Sequence, residues 1–161
     1  MGSRVTGSRR SLAGVTIRGA EPNDIDALLA IETRVFPTDR LERRNFRHAV
    51  RSPTMVCLVA AGAEDALGYV MVERRRNSAA ARLTSIAIAP QATGAGLGRS
   101  LLLAAEKEAL AAGSTRMRLE VRADNKAART LYEKTGYRLV ETLAAYYEDG
   151  ATALRYEKAL A

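Results

Sequence analysis

Residues Arg116 to Arg122 alternate without a break, with Met117, Leu119 and Val121 on one side and Arg116, Arg118, Glu120 and Arg122 on the other. Such strict alternation is the mark of a strand that lays one face on a core and keeps the other polar. Asp124 or Asn125 then offers a helix N-cap. Ala127, Ala128, Leu131 and Tyr132 recur at helical spacing, and Gly136 closes that helix. Tyr137 to Leu143 resumes a strand pattern. A strand, a helix and a strand in direct succession require a helix packed on the face of a sheet, which places the chain in the mixed α/β class.

The remaining segments extend the same design. Val15 to Arg18 is a short β-prone piece, and Glu21-Pro22-Asn23-Asp24 is a turn with a helix start. Ile25, Leu28, Leu29, Ile31 and Val35 give a first helix, broken at Phe36-Pro37-Thr38-Asp39. Arg40 to Arg51 reads as a second, strongly charged helix that ends before Pro53. Met55 to Ala61 and Ala66 to Val72 form a hairpin, and Arg82 to Ala89 is a strand stopped by Pro90. Leu97, Leu101, Leu102, Ala105, Ala109 and Ala112 share one helical arc that Gly113 terminates. Ala153 to Ala159 is a last strand, reached through the aromatic loop Tyr146-Tyr147-Glu148-Asp149-Gly150. With 161 residues, 47% of them hydrophobic, the chain suits one core. The expected organisation is a flexible basic leader over residues 1–12 and one domain over 13–161.

Composition narrows the chemistry. The net charge of +7 invites a nucleic-acid reading. Apart from the N-terminal arginines and Arg74-Arg75-Arg76, however, basic residues are interleaved with acids, which favours solvated faces and a small polyanionic ligand over a nucleic-acid groove. Cys57 is the single cysteine and lies in an apolar run, so it reads as a buried inert thiol. The single histidine, His48, belongs on a helix surface. No metal site is expected, and no apolar run reaches the ~20 residues of a membrane span. Met1 to Thr6 fits a myristoylation pattern but reads better as part of the leader. The expectation is a soluble cytoplasmic protein, monomeric or homodimeric, with no membrane partner.

Thr93-Gly94-Ala95-Gly96-Leu97-Gly98-Arg99-Ser100 joins a strand to a helix. Free N–H groups and the positive end of the helix dipole there make a site for a phosphate or pyrophosphate, and the glycines let the backbone approach it closely. The loop lacks the Gly-Lys-Ser/Thr of a P-loop, and its G-x-G-x-G spacing differs from the dinucleotide fingerprint. It resembles the acyl-CoA signature Q/R-x-x-G-x-G/A of the GNAT superfamily of N-acetyltransferases. One register uses Thr93, Gly96 and Gly98, and the other uses Gln91, Gly94 and Gly96. The first fits the helix better and departs from the signature at Thr93, so that backbone N–H groups and Arg99 carry more of the pyrophosphate binding.

The resemblance sharpens at LEVRADNKAARTLYEKTGY, residues Leu119 to Tyr137, which is similar to the branch containing ribosomal-protein and N-terminal alanine acetyltransferases. It implies a single mixed, mostly antiparallel twisted sheet flanked by helices, with an acetyl-CoA cleft between two splayed parallel strands. It carries over Glu120 as general base, Tyr132 as general acid and Asn125 as a cosubstrate contact. Ile86, Ala87 and Ile88 become the strand along the pantetheine arm, with an N–H for the oxyanion, and Gly94, Ala95, Gly96, Leu97, Gly98, Arg99 and Ser100 become the pyrophosphate loop. Taken singly, Glu120 passes for a solvated strand residue, Asn125 for a plain cap and Tyr132 for a core tyrosine; their joint spacing behind the glycine loop favours the functional reading.

The chemistry asks for such a pair, because an ammonium must lose a proton and a departing thiolate must gain one. Arg118 and Arg122, on the same strand face, are expected to keep Glu120 ionised. A carboxylate of pKa ~4.3 suits a relay through water, and a phenol of pKa ~10 can donate to a thiolate of pKa ~8.5. Freeing a neutral amine at pH 7 costs about 1.2 kcal/mol for an α-amine and about 4.6 for lysine, which favours a protein N-terminus as acceptor. A small-molecule amine, a protein lysine or a non-catalytic acetyl-CoA-binding role are the alternatives. By the same resemblance, Phe36, Pro37, Tyr146 and Tyr147 line the acceptor site, while aromatic loop residues read equally well as core anchors. The basic stretch Thr38 to Val50 departs from the ribosomal enzymes.

Overall fold

The computed structural model describes residues 14–161. The leader, including the myristoylation pattern and its arginines, lies outside the described residues. Seven strands form one sheet in the order β1-β2-β3-β4-β5-β7-β6. They are β1 (Thr16–Gly19), β2 (Met55–Ala61), β3 (Ala66–Arg74), β4 (Ala80–Ile88), β5 (Arg116–Arg122), β6 (Arg138–Leu143) and β7 (Ala153–Ala159). The helices are α1 (Ile25–Val35), α2 (Arg43–Arg51), α3 (Leu97–Ala111) and α4 (Lys126–Lys134), with 3-10 turns at Pro22–Asp24 and Pro90–Ala92. Among the described residues no helix is long and apolar enough to cross a membrane.

The sheet has a core on each face, which is why β2 and β3 are apolar at consecutive positions. Cys57, Val59, Tyr69 and Met71 pack with Ile25, Leu28 and Ile31 of α1 and Phe46 and Ala49 of α2. Leu58, Ala60, Val70 and Val72 face the other way, onto Leu97, Leu101, Leu102, Ala105 and Ala109 of α3. Ala112 leaves the predicted arc because the helix stops one residue earlier, at Ala111. The Cys57 thiol is buried and its pKa is pushed up to about 12 by burial, then by Asp24, which matches an inert thiol.

The second helix begins at Arg43 rather than at Arg40. A capping box fixes that start: the Glu42 side chain accepts from the Asn45 backbone, and Asn45 Oδ1 accepts from the Glu42 N–H at 2.7 Å. Arg40 instead folds back and donates to the carbonyls of Phe36 and Thr33 at 2.5 and 3.1 Å, satisfying the open end of α1.

Two features bend the middle of the sheet. Thr84 is an extra residue on β4, since Met71 pairs with Ser85 while Val72 pairs with Leu83, and its Oγ1 donates to the Met71 carbonyl at 3.1 Å. The one parallel pair among the described residues, β4 with β5, is joined only at Ala80–Arg116, Ala81–Met117 and Arg82–Arg118. Beyond that the strands pair no further, while β5 remains bonded to β7 through Arg122.

Gly68, paired with Ile88 beyond the bulge, keeps β3 close to β4. A Cβ there would sit 2.9 Å from the Ala87 carbonyl oxygen and 2.9 Å from Ile88 Cδ1. The backbone oxygen cannot rotate away, so Gly68→Ala should lower unfolding free energy by about 1–3 kcal/mol in urea titration. Wild-type stability in that variant would show that the strands are not held so close.

Candidate active site

A cleft of about 600 Å³ opens where β4 and β5 part. One wall is β4 from Leu83 to Ile88. The other combines Glu120, Val121 and Arg122 of β5 with Asn125, Ala128, Leu131 and Tyr132 at and in α4. Gly98 of α3 sits at one end, and Phe36 to Asp39, Tyr147 and Asp149 sit at the other. A separate hollow of about 310 Å³ between the start of α1 and the arginines of α2 contains none of the candidate site residues.

Glu120 is held more tightly than the sequence suggests. Its side chain is 5% exposed, with Arg82 Nε donating to Oε1 and Arg155 Nε donating to Oε2, both at 2.9 Å. Burial alone would raise its pKa, but the hydrogen bonds from Arg155 and Arg82 outweigh burial and hold the carboxyl below its usual range. The supporting cations are therefore not Arg118 and Arg122. Those face carboxylates of their own, Glu157 and Asp149, each at 2.7 Å. The reason is register: Arg155 lies directly opposite Glu120 on β7, and Arg118 lies opposite Glu157.

Tyr132 is buried, with its ring edge-on to Tyr137 at 5.8 Å and tilted against Tyr156 at 6.4 Å. No described residue hydrogen-bonds its hydroxyl, which lies on a side chain lining the cleft. Burial first, and then the neighbouring Tyr147, raise its pKa above the ordinary phenol value, so it is protonated at neutral pH. Asn125 both caps α4, accepting from the Ala128 N–H at 3.1 Å, and lines the cleft. The two readings of Asn125 are thus compatible.

The glycine loop is less uniform than its sequence. Gly94 and Gly96 adopt φ of 86° and 80°, a region that side chains with a Cβ disfavour. No described group accepts from the N–H groups of Gly94 to Arg99, three of which open α3. Of the loop only Gly98 lines the cleft; Gly94, Ala95, Gly96, Arg99 and Ser100 lie outside its lining. Leu97 is buried in the core, which leaves its N–H as the part available to a ligand. The Thr93 hydroxyl donates to the Pro90 carbonyl at 3.0 Å and serves its own turn.

At the other end, Phe36, Pro37 and Tyr147 line the cleft and Tyr146 does not. Tyr146 is 43% exposed, edge-on to Tyr147 at 5.1 Å, and its hydroxyl accepts from Arg82 at 3.4 Å. Arg122 lies 5.1 Å over the Tyr147 ring. The Tyr147 hydroxyl is pushed up to about 12 by burial, then by Tyr146 and Glu120, against an opposing pull from Arg122. Sequence reasoning missed Glu32, Ser85, Arg122 and Asp149 as lining residues. Glu32 had a signal: it falls four residues after Leu28, inside the apolar stripe of α1.

Residues 24–137 match the acetyltransferase (GNAT) family. The chain belongs to that family. As a GNAT protein it is an acetyltransferase, and the family implies acetyl-CoA as cosubstrate. It is related to the ribosomal-protein and NAA-type enzymes. The catalytic subunit NAA10 of the N-terminal acetyltransferase A complex of Arabidopsis thaliana is 28% identical over 150 residues, covering 91% of this chain and 78% of that one. The crystal structure of the ribosomal-protein-S18-alanine N-acetyltransferase from Escherichia coli superposes with a TM-score of 0.81 at 26% identity, covering 91% and 94% of the two chains. Ard1 from Thermoplasma volcanium shares the fold with a TM-score of 0.82 at 23% identity, covering 92% and 99%.

Proposed function

We propose that this GNAT enzyme acetylates a protein N-terminal α-amine, with Glu120 as general base acting through water and Tyr132 as general acid. The observation that carries the reading is that both side chains line one cleft in opposite protonation states. Glu120 is held as a carboxylate, and Tyr132 is held as a phenol with no described partner for its hydroxyl. Acetyl-CoA supplies the activated acyl group as a thioester. The residues present fit it. Among the described residues the β4 edge from Leu83 to Ile88 has no partner strand on the cleft side, and the N–H groups from Gly94 to Arg99 lack acceptors. In this reading Ile86, Ala87 and Ile88 pair with the pantetheine arm, and the loop from Gly94 to Ser100, with Asn125, holds the rest.

The α-amine is favoured because its lower pKa leaves less for a weak, ion-paired carboxylate to do. Phe36, Pro37 and Tyr147 then receive the first residues of the acceptor chain, with Tyr146 at the rim. Thermal shift with acetyl-CoA, followed by thiol-release screening of free-N-terminal peptides, lysine peptides and small amines, tests the proposal. Stabilisation by acetyl-CoA with turnover of the first class is expected. Turnover only of lysines or small amines would reassign the acceptor, and binding without any turnover would make the protein a non-catalytic acetyl-CoA binder.

Gly98 offers a cleaner check on where the cosubstrate lies. A Cβ there meets Leu131 Cδ2 at 3.5 Å and Ile88 Cγ1 at 3.9 Å, ordinary contacts in the free protein. Gly98→Ala should therefore leave folding stability unchanged or raise it by up to about 1 kcal/mol through helix propensity. The same methyl group narrows the cleft, so acetyl-CoA affinity should fall. Calorimetry showing unchanged affinity would place the cosubstrate elsewhere.

A further inference from the structure

Glu32 is 2% exposed, the most buried carboxylate among the described residues, and it lines the cleft without a part in the proton transfers above. Its two oxygens serve different elements. Oε1 accepts from the Tyr69 hydroxyl of β3, and Oε2 accepts from the Leu41 N–H at 2.8 Å, at the far end of the loop that carries Phe36 and Pro37. The Tyr69 hydroxyl also lies 2.8 Å from Ser85 Oγ, beside the bulge of β4. A phenol has one proton, so with Tyr69 donating to Glu32, Ser85 donates to Tyr69. Burial, then the Glu32 charge, raise the Tyr69 pKa and keep it a donor. The chain Ser85, Tyr69, Glu32, Leu41 thus links the bulged strand to the Phe36–Asp39 loop, with Ser85, Glu32 and Leu41 lining the cleft.

We propose that Glu32 is a positioning residue for acetyl transfer, which fixes the Phe36–Asp39 loop against the bulged strand β4 through Tyr69 and Ser85 on one side and the Leu41 amide on the other. The inference rests on the cleft being the transfer site. It separates Glu32 from Glu106, a further buried glutamate, which has a similar set of partners in Tyr137 at 2.8 Å and Lys158 at 2.7 Å but does not line the cleft.

The test compares Glu32→Ala, Glu32→Gln, Tyr69→Phe and Glu106→Ala in the full chain. Hydrogen exchange of the Leu41 amide, read by NMR without any ligand, should lose protection in Glu32→Ala. It should keep protection in Glu32→Gln, whose amide oxygen can still accept, and in Tyr69→Phe. In steady-state kinetics, Glu32→Ala should lower acceptor kcat/KM on the order of tenfold to a hundredfold with the acetyl-CoA KM near wild type. Glu32→Gln should recover much of that loss. Tyr69→Phe, which cuts the link to Ser85 alone, should raise the acceptor KM by less, and it carries the test if Glu32→Ala does not fold. Glu106→Ala should lose stability without moving either KM. Unchanged Leu41 protection in Glu32→Ala, or acceptor and acetyl-CoA constants shifting together as for a merely structural site, would overturn the proposal, as would an unaltered acceptor KM in Tyr69→Phe. Absence of acetyl transfer in the wild-type protein would instead strike the proposed function, since the exchange measurement needs no activity.

Discussion

Tyr132→Phe is expected to lower kcat for acetyl transfer by roughly 10²–10⁴-fold while leaving the fold and acetyl-CoA affinity intact. The substitution removes one hydroxyl. No described residue bonds that hydroxyl, so its loss strands no partner, and the ring contacts with Tyr137 and Tyr156 persist. Because burial raises the pKa, the phenol remains fully protonated over the working range, and since it is a weaker acid than a thiol of pKa ~8.5, its proton must move in concert with C–S bond breaking. Single-turnover measurement at saturating acetyl-CoA isolates the chemical step. A folded Tyr132→Phe protein with wild-type kcat would remove Tyr132 from the chemistry and leave it a core aromatic.

Glu120→Gln should reduce kcat on the order of 10²-fold and, unlike the tyrosine change, should also cost stability. Arg82 and Arg155 both converge on the carboxylate, and an amide in its place leaves two guanidinium groups facing each other with one acceptor between them. The loss is expected at about 1–3 kcal/mol in urea titration, tempered by the solvent exposure of Arg82. Catalysis should therefore be measured well below the unfolding midpoint. The sign of the pH dependence follows from the same contacts. The folded pKa of Glu120 is depressed, so its contribution to stability is fully present above the ordinary carboxylate value of ~4.3 and is lost as pH falls through the lower folded value. For wild-type activity, kcat/KM should climb toward the α-amine pKa of ~7.7–8.0 without a break in the weakly acidic range from Glu120. Such a break in wild type that disappears in Glu120→Gln would show that the carboxylate is not held ionised during turnover.

Strands were legible where alternation or apolar runs are strictly local, as in Met55–Ala61, Arg116–Arg122 and Ala153–Ala159, whose observed limits coincide with the sequence reading. The start of α2 was less so, because charge periodicity extends back to Arg40 while the capping box at Glu42 decides the boundary. In the cleft, Glu120 and Tyr132 could be named as lining residues, but the arginines that grip Glu120 could not. Their choice depends on the parallel register of β4 on β5 and the antiparallel register of β7 on β5, which join residues far apart in the chain. Tyr146 and Tyr147 show the same limit. Adjacent aromatics in a loop look equivalent in sequence, yet only Tyr147 reaches the cleft. Glu32 was the instructive omission, since a charged residue within an apolar helical stripe is itself a sign of a buried polar network.

The identity of the acceptor amine decides between an N-terminal and a lysine acetyltransferase. Incubating the 161-residue chain with acetyl-CoA and peptides that carry both a free α-amine and an internal lysine, then locating the acetyl group by fragmentation mass spectrometry, tests it directly. Acetyl is expected on the α-amine, with matching thiol release that collapses in Glu120→Gln and Tyr132→Phe. Acetyl on the lysine alone, or α-amine acetylation that survives both substitutions, would contradict the proposed function.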